Sequence, residues 1–447
     1  MPTIRLVALP GYYWHIPAEK SKPIAENNID AFIAALTKPI TTDEAKPPQQ
    51  QRESFPPVKI TADNYSAAVE EYQRLFSENK WSDGLAIIPP TREAVDLMLS
   101  GTSRSPGEVI GRVLAKNGIA TIEKIAINAV MAGASPRYLP VIIAAMEDLT
   151  DKDYDLLHPQ ASLGGFELAI WVSGPIVAEL EMNCFDRLWT YGNRANDSIG
   201  RAIVLCRINL GQMWPGVNDM ARTRAVPFTN YIFAENSSPP NPWEPYHVIK
   251  GFKSTDSCVS VSTVSAGIST YSGTKGTDKL KSAINAILAK RNAVFARYNP
   301  AVANPNSHPP KYVFMISPLT AKELQDFGYT DQKKLRDFIY DQTSVAYEQL
   351  AADEIKGIQA RIDASIAGSG IYADRLPADI IPVYQQGLKP GGKVPLIVKP
   401  DDDIHLVVVG AADEASMSGW SYMRAPYAWT SHKTKLIKGA TLTQAGR

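Results

Sequence analysis

The stretch TIEKIAINAVMAGASPRYLPVIIAAMEDL, residues 121–149, decides the architecture. Apolar residues fall on nearly every side of it, so two helices joined by a tight corner cannot finish facing water and belong at the centre of the fold. Gly133 stands where the first helix should stop, because glycine alone enters the left-handed region without penalty. Ser135 and Pro136 then supply a cap and a first-turn residue for the second helix. Glu123, Lys124, Asn128, Arg137 and Glu147 lie within this apolar pair. Buried polar groups need partners, so these side chains are expected to meet residues from elsewhere, either as a structural network or as a site.

On the N-terminal side, helical spacing covers 63–79 and 92–99, separated by the turn, apolar run and double-proline stop of WSDGLAIIPPT, residues 81–91. Between the second of these helices and the central pair, GTSRSPGEVIG (101–111) suits a small anion but lacks the Gly-Lys-Ser/Thr end of a nucleotide-triphosphate loop. Farther back, 38–57 shifts to Pro, Gln, Lys and Glu, the composition of an exposed linker. The N-terminus reads as a buried strand over 4–9, followed by the aromatic patch of Tyr12, Tyr13, Trp14 and His15, rather than as an export signal.

On the C-terminal side, strands are expected over 169–172, 228–234, 258–264, 312–316 and 404–409. Helices are expected from the Asn/Arg-rich corner towards Asn209, and over 277–295, 320–327, 331–346 and 351–366, with a loop over 377–392. This alternation predicts an α/β fold in which mixed sheets are covered by helices around the buried central pair. Three regions follow: 1–57 as an N-terminal strand, aromatic segment and linker, 58–270 as the main domain carrying the site, and 271–447 as a C-terminal α/β region. No internal repeat stands out.

The 46 basic and 46 acidic side chains cancel, which gives no support to nucleic acid or an anionic membrane as partner. No apolar run approaches the length of a membrane span. Of the three cysteines, Cys184, Cys206 and Cys258, at least one must be unpaired, and their spacing suits no metal knuckle, so a reducing, cytoplasmic interior is expected. The apolar content makes a homo-oligomer plausible on base rates alone.

No strong catalytic motif is present: there is no paired-cysteine zinc knuckle, no HExxH, and no dinucleotide fingerprint, so no cofactor is expected. The six histidines are dispersed, and a metal would have to be assembled from distant carboxylates with His247. Five residues are candidates for catalysis: Cys184 as a nucleophile, and Glu123, Glu235, Glu244 and His247 for proton transfer. A cysteine flanked by Met182 and Phe185 is more often a small packed hydrophobe. The corner YGNRANDSIGR, residues 191–201, gathers Asn193, Arg194, Asn196 and Arg201 where a helix should begin. Free backbone N–H groups and arginine charge there would receive a carboxylate or phosphate; a cap with an Asp197–Arg201 pair is the alternative. Asn128 and Asn236 complete the candidate binding set. The stiff Pro- and Trp-rich segment 237–252 follows Asn236, and it either shapes a site or covers a core.

WSDGLAIIPPTREAVDLML, EKIAINAVMAGASPRYLPVIIAAMEDL, GNRANDSIGRA and ENSSPPNPWEPYH together resemble a bacterial family known mainly as hypothetical proteins, over residues 81–252. Its members look similar to small proteins named for a selenocysteine-Gly-Ser-Cys motif and described as thiol-redox associated. VVVGAADEASMSGWS, residues 407–421, resembles the strand and loop that carry that motif, with Glu414 and Met417 at the positions of its selenocysteine and cysteine. The resemblance therefore implies that this chain cannot perform thiol–disulfide exchange there. Taken together, these features lead us to expect an enzyme of lyase or hydrolase type acting on a small polar, carboxylate-bearing molecule. The rival expectations are a non-catalytic binding module or subunit and a metal-dependent hydrolase.

Overall fold

The computed structural model of the chain describes residues 18–39, 41, 57–185, 187–222, 228–265, 268–272, 276–289, 291, 295, 311–369, 375–410, 419–425 and 432–440. The expected N-terminal strand, His15, Glu414 and Met417 lie outside them. Two compact units divide the chain, Met1–Asp63 and Asn64–Arg447. In the first, Ala18–Thr37 is a helix. The sequence gives it a faint signal, because Pro23 lies inside it and its apolar face is weak.

In the second unit, the central pair forms helices Ile122–Met131 and Leu139–Leu149, with Gly133 at φ +78° and a single 3₁₀ turn, Pro136–Tyr138, at the corner. Thr121 caps the first helix by accepting from the Lys124 amide. Ile122, Ile125, Leu139, Val141 and Ile142 are fully buried. Each such aliphatic side chain contributes roughly 1.5–3 kcal/mol relative to exposure. The polar residues of the pair meet distant partners. Glu123 binds Arg92, Glu147 binds Arg104, Arg137 donates to the Glu179 carbonyl, and Asn128 accepts from Asn209 at 2.7 Å. These contacts form a structural network, and among the described residues Glu147 also lines an open surface cleft.

The strands are β1 (Val109–Val113), β2 (Gly118–Thr121), β3 (Phe166–Ser173), β4 (Tyr231–Ala234), β5 (Cys258–Ser265), β6 (Ile268–Ser272), β7 (Lys311–Ile316), β8 (Ser344–Ala346), β9 (Lys393–Pro395), β10 (Ile404–Val408), β11 (Gly419–Ala425) and β12 (His432–Leu436). Two of the sheets are four-stranded, in the orders β12-β5-β3-β4 and β10-β7-β11-β6. In the first, β4 is parallel to β3, β5 antiparallel to β3, and β12 antiparallel to β5. In the second, β10 is parallel to β7, β11 antiparallel to β7, and β6 antiparallel to β11. The pattern is the same in both, and each sheet's outer antiparallel strand follows in the chain after a strand of the other sheet, β6 after β5 and β12 after β11. Residues 64–447 therefore interleave as one unit, whereas the sequence suggests a division near residue 270.

The two sheets face each other. Ala169, Trp171, Tyr231 and Phe233 of the first cluster with Val313, Met315, Val407 and Val409 at the second. The opposite face of the second sheet, with Tyr312, Phe314, Leu406 and Val408, clusters with Leu280, Leu324, Leu335, Ile339 and Ile358 of its covering helices. Helices Leu139–Leu149 and Arg194–Gly211 pack on the first sheet. An α/β protein with mixed sheets results, in four layers. Coverage on both sides explains why β3, FELAIWVS, is buried at every position and reads as an apolar run over residues 168–172.

Candidate functional site

A cavity of about 750 Å³ opens at the carboxyl ends of β3 and β4. Beyond β3, Gly174 turns the chain at φ +102° into a short helix, Ile176–Glu179, and a loop that carries Asn183 and Cys184. A side chain at Gly174 would place its Cβ 2.3 Å from the Asp256 carbonyl oxygen, so glycine is required by space as well as by conformation. β4 delivers Glu235 and Asn236, and the chain returns through Pro245 and His247 to complete the wall.

The loop is held from the helix behind it. Asn196 Nδ2 donates to the Asn183 carbonyl at 3.0 Å and Asn196 Oδ1 accepts from the Asn183 amide at 2.9 Å, as a neighbouring strand would. The Cys184 carbonyl accepts from the Gly410 amide at 2.8 Å, and Asn236 Nδ2 donates to the Gly410 carbonyl at 2.8 Å. The end of β10 thus clamps both loops. Asn241 Nδ2 also donates to the Asn236 carbonyl at 2.9 Å, which fixes the start of the proline-rich segment.

Glu235 is 2% exposed, and both its carboxyl oxygens accept from the Tyr246 amide at 2.9 Å. Burial raises this carboxyl to about 8, against the lowering effect of that hydrogen bond. His247 is 1% exposed, and neither ring nitrogen has a partner in ordinary hydrogen-bond geometry among the described residues. Burial lowers its basicity, and looser approach of the Ser254 and Lys253 backbone and the Asp256 charge oppose this only in part. Burial raises the Cys184 thiol to about 11, and the Glu235 charge adds to the effect. At neutral pH the cavity wall therefore holds a protonated carboxyl, a neutral imidazole and a neutral thiol.

Behind this wall Tyr246 joins the site to the layer between the sheets. Its hydroxyl lies 2.9 Å from His405 Nδ1 and 2.9 Å from His432 Nε2, and Trp171 stacks on the His432 ring at 5.2 Å. One hydroxyl has a single proton, so it donates to one imidazole and accepts N–H from the other, and both rings fit this chain when neutral. Burial holds both imidazoles well below their ordinary range, helped by the positive charges of Lys250 and Lys311.

Of the sequence candidates, Cys184, Glu235, His247, Asn193 and Asn236 line this one cavity. The others lie elsewhere. Glu123 is paired with Arg92, and Glu244 is exposed and absent from the lining. Asn128 is bonded to the Lys124 carbonyl and to Asn209. Asn196 is committed to Asn183 on both sides of its amide. Arg194 is exposed. Arg201 forms neither the expected anion anchor nor a pair with Asp197: its guanidinium holds Asp83 at 2.7 and 2.9 Å and the Ala86 carbonyl at 2.9 Å. Asp83 is a nearly inaccessible carboxylate at the turn of WSDGLAIIPPT, so pairing it took precedence. The central helix pair contributes nothing to the described cavity lining, and it packs against helix Arg194–Gly211 instead.

Residues that sequence reasoning missed are Gly174, Pro175 and Glu181, together with the clamp from Gly410. Of these, Ser173-Gly174-Pro175 carries a signal in the sequence, a Gly-Pro turn directly after an apolar run. Among the described residues no group of three or more His, Cys, Asp or Glu is placed to hold a metal ion. No helix among them is long and apolar enough to cross a membrane. No family model, curated protein or solved structure matches the chain.

Proposed function

We propose that the chain is an enzyme of lyase or hydrolase type that performs acid–base chemistry on a small polar molecule bound at the ends of β3 and β4. The observation that carries this reading is the meeting of Glu235 and His247 in one cavity, from separate segments and with opposite proton occupancy near pH 7. Glu235 acts as the proton donor, because its carboxyl remains protonated up to about pH 8. His247 acts as the acceptor, because burial keeps its imidazole neutral and the approach of the Ser254 and Lys253 backbone opposes this only in part. Such pairs of groups with divergent pKa values are how one site runs acid and base steps together.

Cys184 belongs to the wall, since its thiol at about 11 supplies too little thiolate at neutral pH for nucleophilic attack. The carboxylate on the substrate that the sequence suggested is not supported, because Arg201 is bound to Asp83 and Arg194 is exposed. Three buried, unpaired cysteines fit a reducing compartment, and we assign the chain to the cytoplasm on that ground.

A non-catalytic binding module is the second reading, favoured by the bond from both Glu235 oxygens to the Tyr246 amide, which serves the fold as well. Incubation in D₂O with mixtures of small amino, hydroxy and amide compounds separates the two, with deuterium uptake or turnover followed by mass spectrometry. Glu235→Gln and His247→Asn are expected to lower the rate at least about 100-fold while the fold is retained. Binding by the wild-type protein with no exchange or turnover in any mixture would leave only the second reading.

A further inference from the structure

The cavity at the ends of β3 and β4 carries information about the charge of what fills it. Asn193 Nδ2 donates to the Arg187 carbonyl at 3.1 Å and the Thr190 carbonyl at 3.2 Å, and Asn236 Nδ2 donates to the Gly410 carbonyl. Asn236 Oδ1 also accepts from the Ser238 amide at 3.0 Å, so what these two amides leave towards the cavity is the Asn193 oxygen and one lone pair of the Asn236 oxygen. Glu181 and Glu235 also line the cavity, and no lysine or arginine is among its described lining residues. The Ser237, Ser238 and Ser254 hydroxyls in the lining can accept as well as donate, and with the acidic groups they suit a ligand group that is all donor and carries positive charge. An ammonium group, with three N–H donors and no acceptor, is such a group. An anion would meet these oxygens with no cation to offset them. The independent sign that a ligand belongs here is His247, 1% exposed and lining the cavity, with neither ring nitrogen in an ordinary hydrogen bond among the described residues.

We infer that this cavity binds a small primary amine in its ammonium form, with the nitrogen beside Glu235 and the carbonyl oxygens of Asn193 and Asn236. This rests on the reading of the cavity as the substrate site and names the class of substrate. Binding the cation favours the ionised carboxylate of Glu235, which the free protein keeps protonated at neutral pH, so with an amine bound it is the ammonium beside Glu235 that holds the proton available to an acid step. Amine binding therefore releases a proton, and apparent affinity rises about tenfold per pH unit from pH 6 towards 8, then levels off.

Ligand-observed saturation-transfer NMR on the full chain tests the inference, using putrescine, glycinamide and propylamine beside matched alcohols and carboxylates. The amines are expected to bind, more tightly at pH 8 than at pH 6. Calorimetry in buffers of different ionisation heat should show release of close to one proton per amine at pH 7. Glu235→Gln retains an acceptor for the Tyr246 amide, and it should abolish the proton release and weaken amine binding at pH 8 at least fivefold. Preferential binding of carboxylates, equal binding of all three classes, affinity independent of pH, or no binding by any amine each overturns the inference. These comparisons on the wild-type protein stand even if the variant does not fold. Amines that bind but are neither turned over nor exchanged would support the inference and count against the acid–base enzyme. Turnover of a carboxylate would do the reverse.

Discussion

A carboxyl with almost no access to water dominates the chemistry at the scale of single residues. Glu235 has a folded pKa of about 8 against an ordinary 4.5, so the folded chain holds its proton more tightly than the unfolded chain does. That favours the fold below pH 4.5, and the contribution is lost as pH rises through 8. Glu235→Gln removes the titration. Its stability relative to wild type is therefore expected to improve by about 1.4 kcal/mol per pH unit between 4.5 and 8. Urea melts of both proteins across that range measure the difference, and a constant offset would show that Glu235 ionises normally. Gly174 belongs to the same scale: with φ +102° and the Asp256 carbonyl oxygen 2.3 Å from any added Cβ, Gly174→Ala is expected to destabilise by roughly 3 kcal/mol or more. The sequence marked Glu235, His247 and Cys184 as reactive types near loop positions. It did not show their proton occupancy, because that depends on burial contributed by β10 and the Tyr246 segment.

At the scale of elements, what the sequence made legible was periodicity, and what it hid was partnership. The central helices, the helix Arg194–Gly211 and the apolar strand β3 emerged near their observed positions because each carries a long one-dimensional pattern. The short helix Ile381–Gly387 was read as loop because Pro382 and the nearby glycines mask it, and the β1–β2 hairpin was hidden by its Gly- and Arg-containing composition. Arg201 was misread because its partner, Asp83, is 118 residues away, beyond any local pattern. The pair ties the WSDG turn to the helix, with side-chain exposures of 17% and 3%. Removing one member of so buried a pair leaves the other uncompensated, so Arg201→Ala is expected to lose about 3 kcal/mol of stability. Ligand affinity at the cavity should be unchanged when measured below the melting transition. A selective loss of affinity with stability intact would restore Arg201 as the anchor.

At the scale of the whole molecule, the two sheets repeat one strand pattern and exchange their outer strands, a relation visible only in space. The joint between them contains the imidazoles of His405 and His432, whose ring centroids are 3.9 Å apart around the Tyr246 hydroxyl. Both are held neutral in the fold, below the ordinary 6.5, while the unfolded chain takes up protons there. Their contribution to stability is present above pH 6.5 and lost as pH falls below it. Thermal or urea melts are expected to show stability falling below pH 6.5 by up to about 2.7 kcal/mol per pH unit, two protons' worth, with His405→Gln flattening the slope. No change of slope in that variant would place the acid sensitivity elsewhere. Because Tyr246 bonds these rings through its hydroxyl and Glu235 through its amide, the joint and the cavity are mechanically continuous.

The claim on which the functional account turns is that Glu235 keeps its proton at neutral pH while facing a ligand-sized hollow. The most direct measurement is a ¹³C NMR titration of side-chain carboxyls in protein labelled at glutamate, compared with Glu235→Gln. One resonance titrating near pH 8, missing in the variant and shifted by a bound amine, is the expected result. Every glutamate resonance titrating below pH 6 would contradict it.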